Sequence, residues 1–254
     1  MKLYKIFFLF LLLSLLNTCD TVETNNGDNQ ITPGDDSLIP DSIKALMKED
    51  AAFLTLRDVY LDSAKKESLV ILPENSVESY YRGFVHIYNA KSFSTRNLVI
   101  EKYKIHVFPY PETHSLIVSV DSTKDWVDAW KNGQRLTGNQ QIDNLMEEYD
   151  LKLDRYYHWP TYHAAVLSSE AAINIYALSK MFEPIDGVIF AEPNGYIGDG
   201  NNIEGSIESN YLEYVFSYGW GDCPSGCINR HYWLFQVKFD GTVEFIGGYG
   251  DPLP

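Results

Sequence analysis

The sequence predicts an α+β protein with a helical hairpin near the N-terminus, a βαββαβ middle and an antiparallel β-meander at the C-terminus. Three observations predict it. Apolar residues recur at helical spacing over 42–89. From about residue 104 the period shifts toward alternation, with two short amphipathic helices interleaved. After residue 211 three alternating segments are divided by glycine-rich and Asp-Gly turns.

The hairpin begins after Pro40, where Asp41 and Ser42 precede Ile43, Leu46, Met47, Phe53 and Leu54, predicting a helix over 42–63. Pro73 and Glu74 open a second helix over 74–89. Val77, Tyr80, Tyr81, Phe84, Val85 and Tyr88 lie along one face, and His86 reads as a helix-face residue. In the middle region, "KIHVFPY" (104–110) and "SLIVSVD" (115–121) read as strands. A helix over 139–150, strands over 151–159 and 163–169, a helix over 174–182 and a strand over 187–195 follow. From residue 115 the order is strand, helix, strand, strand, helix, strand, the ferredoxin-like arrangement. At the C-terminus, segments 211–218 and 231–239 alternate, Asp240-Gly241 is a hairpin signal, and "TVEFIGG" continues as a third strand. The meander is free to extend the middle sheet.

Composition bounds the function. The chain of 254 residues is 45% hydrophobic and 14% aromatic, with 18 tyrosines, so a sizeable core is available. Its 20 basic and 35 acidic residues give a net charge of −15. That balance opposes nucleic-acid binding, which needs a basic footprint to neutralise phosphate. It equally opposes electrostatic attachment to anionic lipid, and it suits an exterior domain with a solubilising surface.

The opening "MKLYKIFFLFLLLSLLNTC" has Lys2 and Lys5 before an apolar run, 6–16, broken only by Ser14. The run is too short to span a bilayer, which takes about 20 residues, but it suits a secretory leader. It stops at Leu15-Leu16-Asn17-Thr18-Cys19, which resembles a bacterial lipoprotein signal, although Asn17 departs from the usual small residue. The resemblance implies cleavage after residue 18, lipidation of Cys19 and a protein anchored in the bacterial cell envelope, facing the periplasm or the exterior. Acyl chains worth about 0.8 kcal/mol per methylene would hold it without a transmembrane helix. An ordinary signal peptide with an incidental cysteine is the other reading of the same residues. Residues 19–40 are polar and acidic and read as a flexible tether. Segments 41–103, 104–198 and 199–254 then form the helical, middle and meander regions.

The middle region also resembles the inhibitor-type propeptide of subtilisin-like serine proteases. The matching residues are the helix at 174–182, Ile185, Gly187-Val188 and the ending Ala191-Glu192-Pro193-Asn194. The resemblance implies a ferredoxin-like fold and a habit of holding extended peptide on an uncovered sheet face. It does not imply proteolysis, because the stretch after Asn194 is too short for a protease domain. Ser206, in "EGSIE", lacks the surroundings of a nucleophile elbow.

The stretch "GWGDCPSGCINRHYWLF" (219–235) concentrates the remaining chemistry. Cys223, Cys227 and His231 are four apart, but Pro224 and Gly226 oppose the helix that would align them as zinc ligands, and no second cysteine pair exists. Thioredoxin-like chemistry would need a shorter spacing that opens a helix. With Cys19 lipidated and an oxidising compartment, Cys223 and Cys227 are expected to form a disulfide across a strand connection, worth roughly 2 kcal/mol or less. The loop would present Trp220, Asp222, Arg230 and His231 as candidate binding residues. "YIGDGNNIEGS" offers Asp199, Asn201, Asn202 and Glu204 to calcium but lacks EF-hand spacing. No catalytic residue, metal ligand or cofactor is assigned. The expected function is binding of a protein or peptide, with protease inhibition as one form. A small hydrolase or ligand-binding lipoprotein using Asp222, His231, Trp220 and Tyr218 is the alternative, and a purely structural surface component is a third reading.

Overall fold

The computed structural model describes residues 30–160, 162–195 and 197–254. The leader, Cys19 and the first part of the expected tether lie outside the described residues. The rest of that tether is packed. Ile31 and Ile39 are buried, the Thr32 N–H donates to Phe239 O at 2.8 Å, and Arg82 donates to Ile31 O at 2.9 Å. The two isoleucines are apolar anchors in a polar segment, and they find a shared core against the second long helix.

Helix α1 (Asp41–Tyr60) stops short of the expected residue 63. The Asp62 side chain accepts from Ala64 N and Lys65 N, which starts a separate short helix, α2 (Ser63–Ser68). Helix α3 (Glu74–Asn89) packs on α1 as a hairpin would, burying Tyr80, Tyr81, Phe84, Val85 and Ile87. A short helix α4 (Ser94–Asn97) and a π-helical turn (Leu98–Lys102) follow. The strand expected over 104–110 does not form. Its backbone is satisfied by side chains instead: Val107 N donates to Asp50, Phe108 N donates to Asn202, and Arg57 donates to the carbonyls of Phe108 and Tyr110.

The middle of the chain is a four-stranded antiparallel sheet with helices on one face. Its elements are β1 (Ser115–Val120), α5 (Val127–Lys131), α6 (Gln140–Glu148), β2 (Lys152–Trp159), β3 (Tyr162–Ser168), α7 (Ile175–Phe182) and β4 (Val188–Pro193). The strand order is β2-β3-β1-β4, with Val118 opposite Ala165 and Ala191. Asn139 and Asn174 cap α6 and α7 through their side-chain oxygens. Trp130, Met146, Leu178 and Phe182 fill the core above Leu116, Val118, Ala165 and Leu167. Helix α5 was not expected from its polar sequence, and Trp130, fully buried, secures it.

The last region is a second four-stranded antiparallel sheet in sequential order: β5 (Asn202–Ile207), β6 (Tyr211–Trp220), β7 (Asn229–Lys238) and β8 (Val243–Gly250). It does not extend the middle sheet. Strand β5 lies where a Gly/Asn-rich loop was expected. A Cβ on Gly205 would come within 2.9 Å of Leu54 and of Tyr80, so the glycine serves close packing of the strand against α1 and α3.

The protein is therefore mixed α+β, with helices leading and two antiparallel sheets following. Its cores do not follow chain order. One unites 31–107 with 203–237, so α1 and α3 cover the C-terminal sheet. A second lies within 116–191, joined by Val70, and a small third cluster is made of Ala52, Leu56, Val59 and Leu72 with Ala172 packed against it. The expected independent helical segment is thus half of a unit completed by the chain's end, and the middle sheet is inserted into it. Asn174 ties the two together, donating to Lys66 O at 2.9 Å and Leu69 O at 3.0 Å. His114 bridges Glu49 and the Ser169 carbonyl at 2.8 and 2.9 Å.

Helix α3 approaches β6 closely at Gly83, where a Cβ would fall 2.0 Å from the Tyr214 hydroxyl oxygen. Tyr214 is fully buried and donates to Tyr80 O at 2.9 Å, so it cannot retreat. Gly83→Ala is expected to cost about 1–3 kcal/mol of unfolding free energy by overpacking. Gly247→Ala, where nothing lies within 4 Å of the added methyl, should stay within about 0.5 kcal/mol. Urea melts of the two variants compare these directly.

Candidate functional site

The Cys223 and Cys227 sulfurs are 2.18 Å apart, at disulfide distance, across a short 3-10 turn (Cys223–Ser225) between β6 and β7. The four residues singled out around this loop do not converge. Arg230 and His231 are neighbours on a strand and point to opposite faces. Arg230 donates to Gly200 O at 2.7 Å, to Ser217 Oγ at 2.9 Å and to the Asp199 carboxylate. Asp199 also accepts from Cys227 N at 2.9 Å, so the pair clamps the loop. His231 bonds through Nδ1 to Asp251 O at 2.8 Å and meets Trp233 edge-on. Trp220 stacks on Tyr218, which pairs with His231 in the register, so those three share a face. Asp222 is exposed, and among the described residues its carboxylate makes no hydrogen bond or ion pair and does not meet His231. A hydrolytic pair of Asp222 and His231 is not assembled.

The Asx residues considered for calcium are occupied by the protein itself. Asn201 accepts from Gly219 N, and Asn202 accepts from Phe108 N and Arg57. Among the described residues, no three His, Cys, Asp or Glu side chains are grouped to hold a metal ion. No described helix is long and apolar enough to cross a membrane.

A different surface gathers four aromatic residues, two of them exposed. Helices α5, α6 and α7 cover the face of the inserted sheet that carries Val118, Ala165 and Ala191. Alternation sends Tyr157, Trp159, Tyr162 and Phe190 to the other face. There the rings form a continuous run. Tyr157 stacks on Trp159 with centroids 4.9 Å apart, Trp159 on Tyr162 at 5.4 Å, and Tyr162 on Phe190 at 6.3 Å. In the register Tyr157 stands opposite Ala164, Ala164 beside Ser119, and Ser119 beside Phe190. The two small residues are buried between the rings, while Trp159 is 50% and Phe190 36% exposed. The adjoining row runs Arg155, Val166, Ile117, Glu192, with opposite charges at its ends. A hollow of about 210 Å³ lined by Asp121, Pro160, Tyr162 and His163 closes one end of the run. Burial, then the charge of Glu192, raises the Tyr162 phenol pKa.

Sequence reasoning identified β2 as a strand but not this face. "RYYHW" carries aromatics at 157 and 159, but their company with Tyr162 and Phe190 depends on pairing with β3 and β4. No protein family matches the chain, and no curated protein or solved structure matches it.

The Asp199 clamp has a measurable consequence. Partial burial pushes its carboxyl upward, but hydrogen bonds from Cys227 N and Arg230 outweigh this, so its pKa lies below the ordinary carboxylate value. A lowered folded pKa gives stability above the unfolded value of about 4, lost as pH falls through the folded one. Asp199→Asn should therefore flatten the acid limb of the urea midpoint below about pH 4. An unchanged acid slope in the variant would refute the clamp.

Proposed function

We propose that this chain is a lipid-anchored protein of the bacterial cell envelope that binds an extended protein segment on the open aromatic face of its inserted sheet. The partner class it fits is a subtilisin-like serine protease, and the mode is inhibition without catalysis by this chain. The observation that carries the reading is the stacked run Tyr157, Trp159, Tyr162 and Phe190 on a sheet face that the unit's own helices leave uncovered. Exposed aromatic anchors around small buried residues are the chemistry of interface hot spots. Edge strand β4 adds exposed Ile189 at 65%, beside a backbone edge available for strand addition.

A ferredoxin-like assignment of the inserted unit is part of the proposal. Its support is the strand order β2-β3-β1-β4, with helices joining β1 to β2 and β3 to β4. The anchor rests on the leader that ends at Cys19. The net charge of −15 weighs against a nucleic-acid partner.

Two measurements test the reading. Cys19→Ser should abolish incorporation of labelled palmitate and move the protein out of the membrane fraction. Labelled palmitate retained in the variant contradicts the anchor. The wild-type chain should slow peptide-substrate hydrolysis by a purified subtilisin-like protease, and Trp159→Ala with Phe190→Ala should weaken that inhibition at least tenfold, about 1.4 kcal/mol. Equal inhibition by the double variant, or none by the wild type, rejects the face as the binding site.

A further inference from the structure

Beneath α1, within the unit built from the helices and the C-terminal sheet, lies a cavity of about 280 Å³. Met47, Phe84, Ile203 and Phe216 supply apolar walls, and three polar residues, Asp50, Lys104 and His106, stand among its lining. This is the composition of a small-molecule site, apolar with a few placed polar groups, at the lower end of the usual size range. Neither the aromatic face nor the cysteine loop contributes to it.

Asp50 is 4% exposed, yet both its oxygens are used. One accepts from Val107 N at 2.7 Å and the other meets His106 Nδ1 at 2.7 Å. The carboxylate thus sets the proton on Nδ1 and fixes the ring. Among the described residues, His106 Nε2 has no hydrogen bond and Lys104 has no ion pair. Lys104 holds a left-handed backbone conformation, φ +47°, unusual for a residue with a side chain. The hydrogen bond to Asp50 raises the His106 pKa against the opposing effect of burial, which favours the imidazolium, a donor at both nitrogens.

We propose that this cavity binds a small aliphatic carboxylate, tail inward, with its anionic head at Lys104 and His106 Nε2. At ~30 Å³ per heavy atom, the share of a water molecule in the liquid, the cavity takes about nine such atoms, enough for hexanoate. Leu46, on the lining and 43% exposed, marks the rim.

Equilibrium dialysis of radiolabelled hexanoate against the full chain in lipid nanodiscs, with empty nanodiscs as blank, tests this. Saturable binding above the blank is expected. Lys104→Gln and His106→Gln should each weaken it at least fivefold, Leu46→Trp should abolish it, and hexan-1-ol should compete at least tenfold less well than hexanoate. Lys104 is exposed, so its variant remains decisive where His106→Gln loses the fold. No saturable uptake, equal competition by the alcohol, or wild-type binding by Lys104→Gln overturns the proposal.

Discussion

The hydroxyl of Tyr214 reaches the carbonyl of Tyr80 because residue 83 has no side chain to block it. Around that contact Phe84 and Tyr80 lean on the Tyr214 ring at centroid distances of 4.8 and 6.1 Å. A buried aromatic ring removes some 150–250 Å² from water and fixes geometry through its edges and faces. Here it joins a helix from the first part of the chain to a strand from the last. Once α3 lies on β6, the first and last described regions form one unit and the residues between them must leave it and return. The inserted sheet is a consequence of that closure.

Polar side chains make the seams. Where the chain departs from regular structure, Asp50, Arg57 and Asn202 supply partners that a sheet ladder would otherwise provide. Asn174 caps α7 and also holds two carbonyls at the end of α2. Each such bond is worth only about 1 kcal/mol net, but an unpaired buried group costs more, so these residues specify geometry beyond their energetic share. Arg230 and Asp199 work alike at the cysteine loop, fastening it to β6 and to the turn before β5. That explains why Arg230, an attractive ligand-binding residue in the sequence, is committed within the protein.

Each sheet keeps helices on one face, so each has another face turned away from its core. The inserted sheet fills its free face with a run of four rings, whereas the free face of the C-terminal sheet sets Glu204, Glu213 and Glu244 beside the stacked pair Tyr232 and Tyr249. The three glutamates place part of the chain's acidic charge on the latter face.

The sequence by itself determined the α+β class, most helix and strand positions and the pairing partners Cys223 and Cys227. These are local matters of periodicity, capping and spacing, readable within a few residues. It misread 104–110 and β5. Alternation around 104–110 came from residues that pack singly, and Gly205 of β5 answers to α1 and α3, elements more than a hundred residues away. Only the tertiary structure decided that the ends of the chain share a core, that Arg230 and His231 face apart, that four rings from three strands form one run, and that Asp50 turns His106 toward a cavity. Each depends on register or long-range packing, and neither is encoded in any single stretch of the chain.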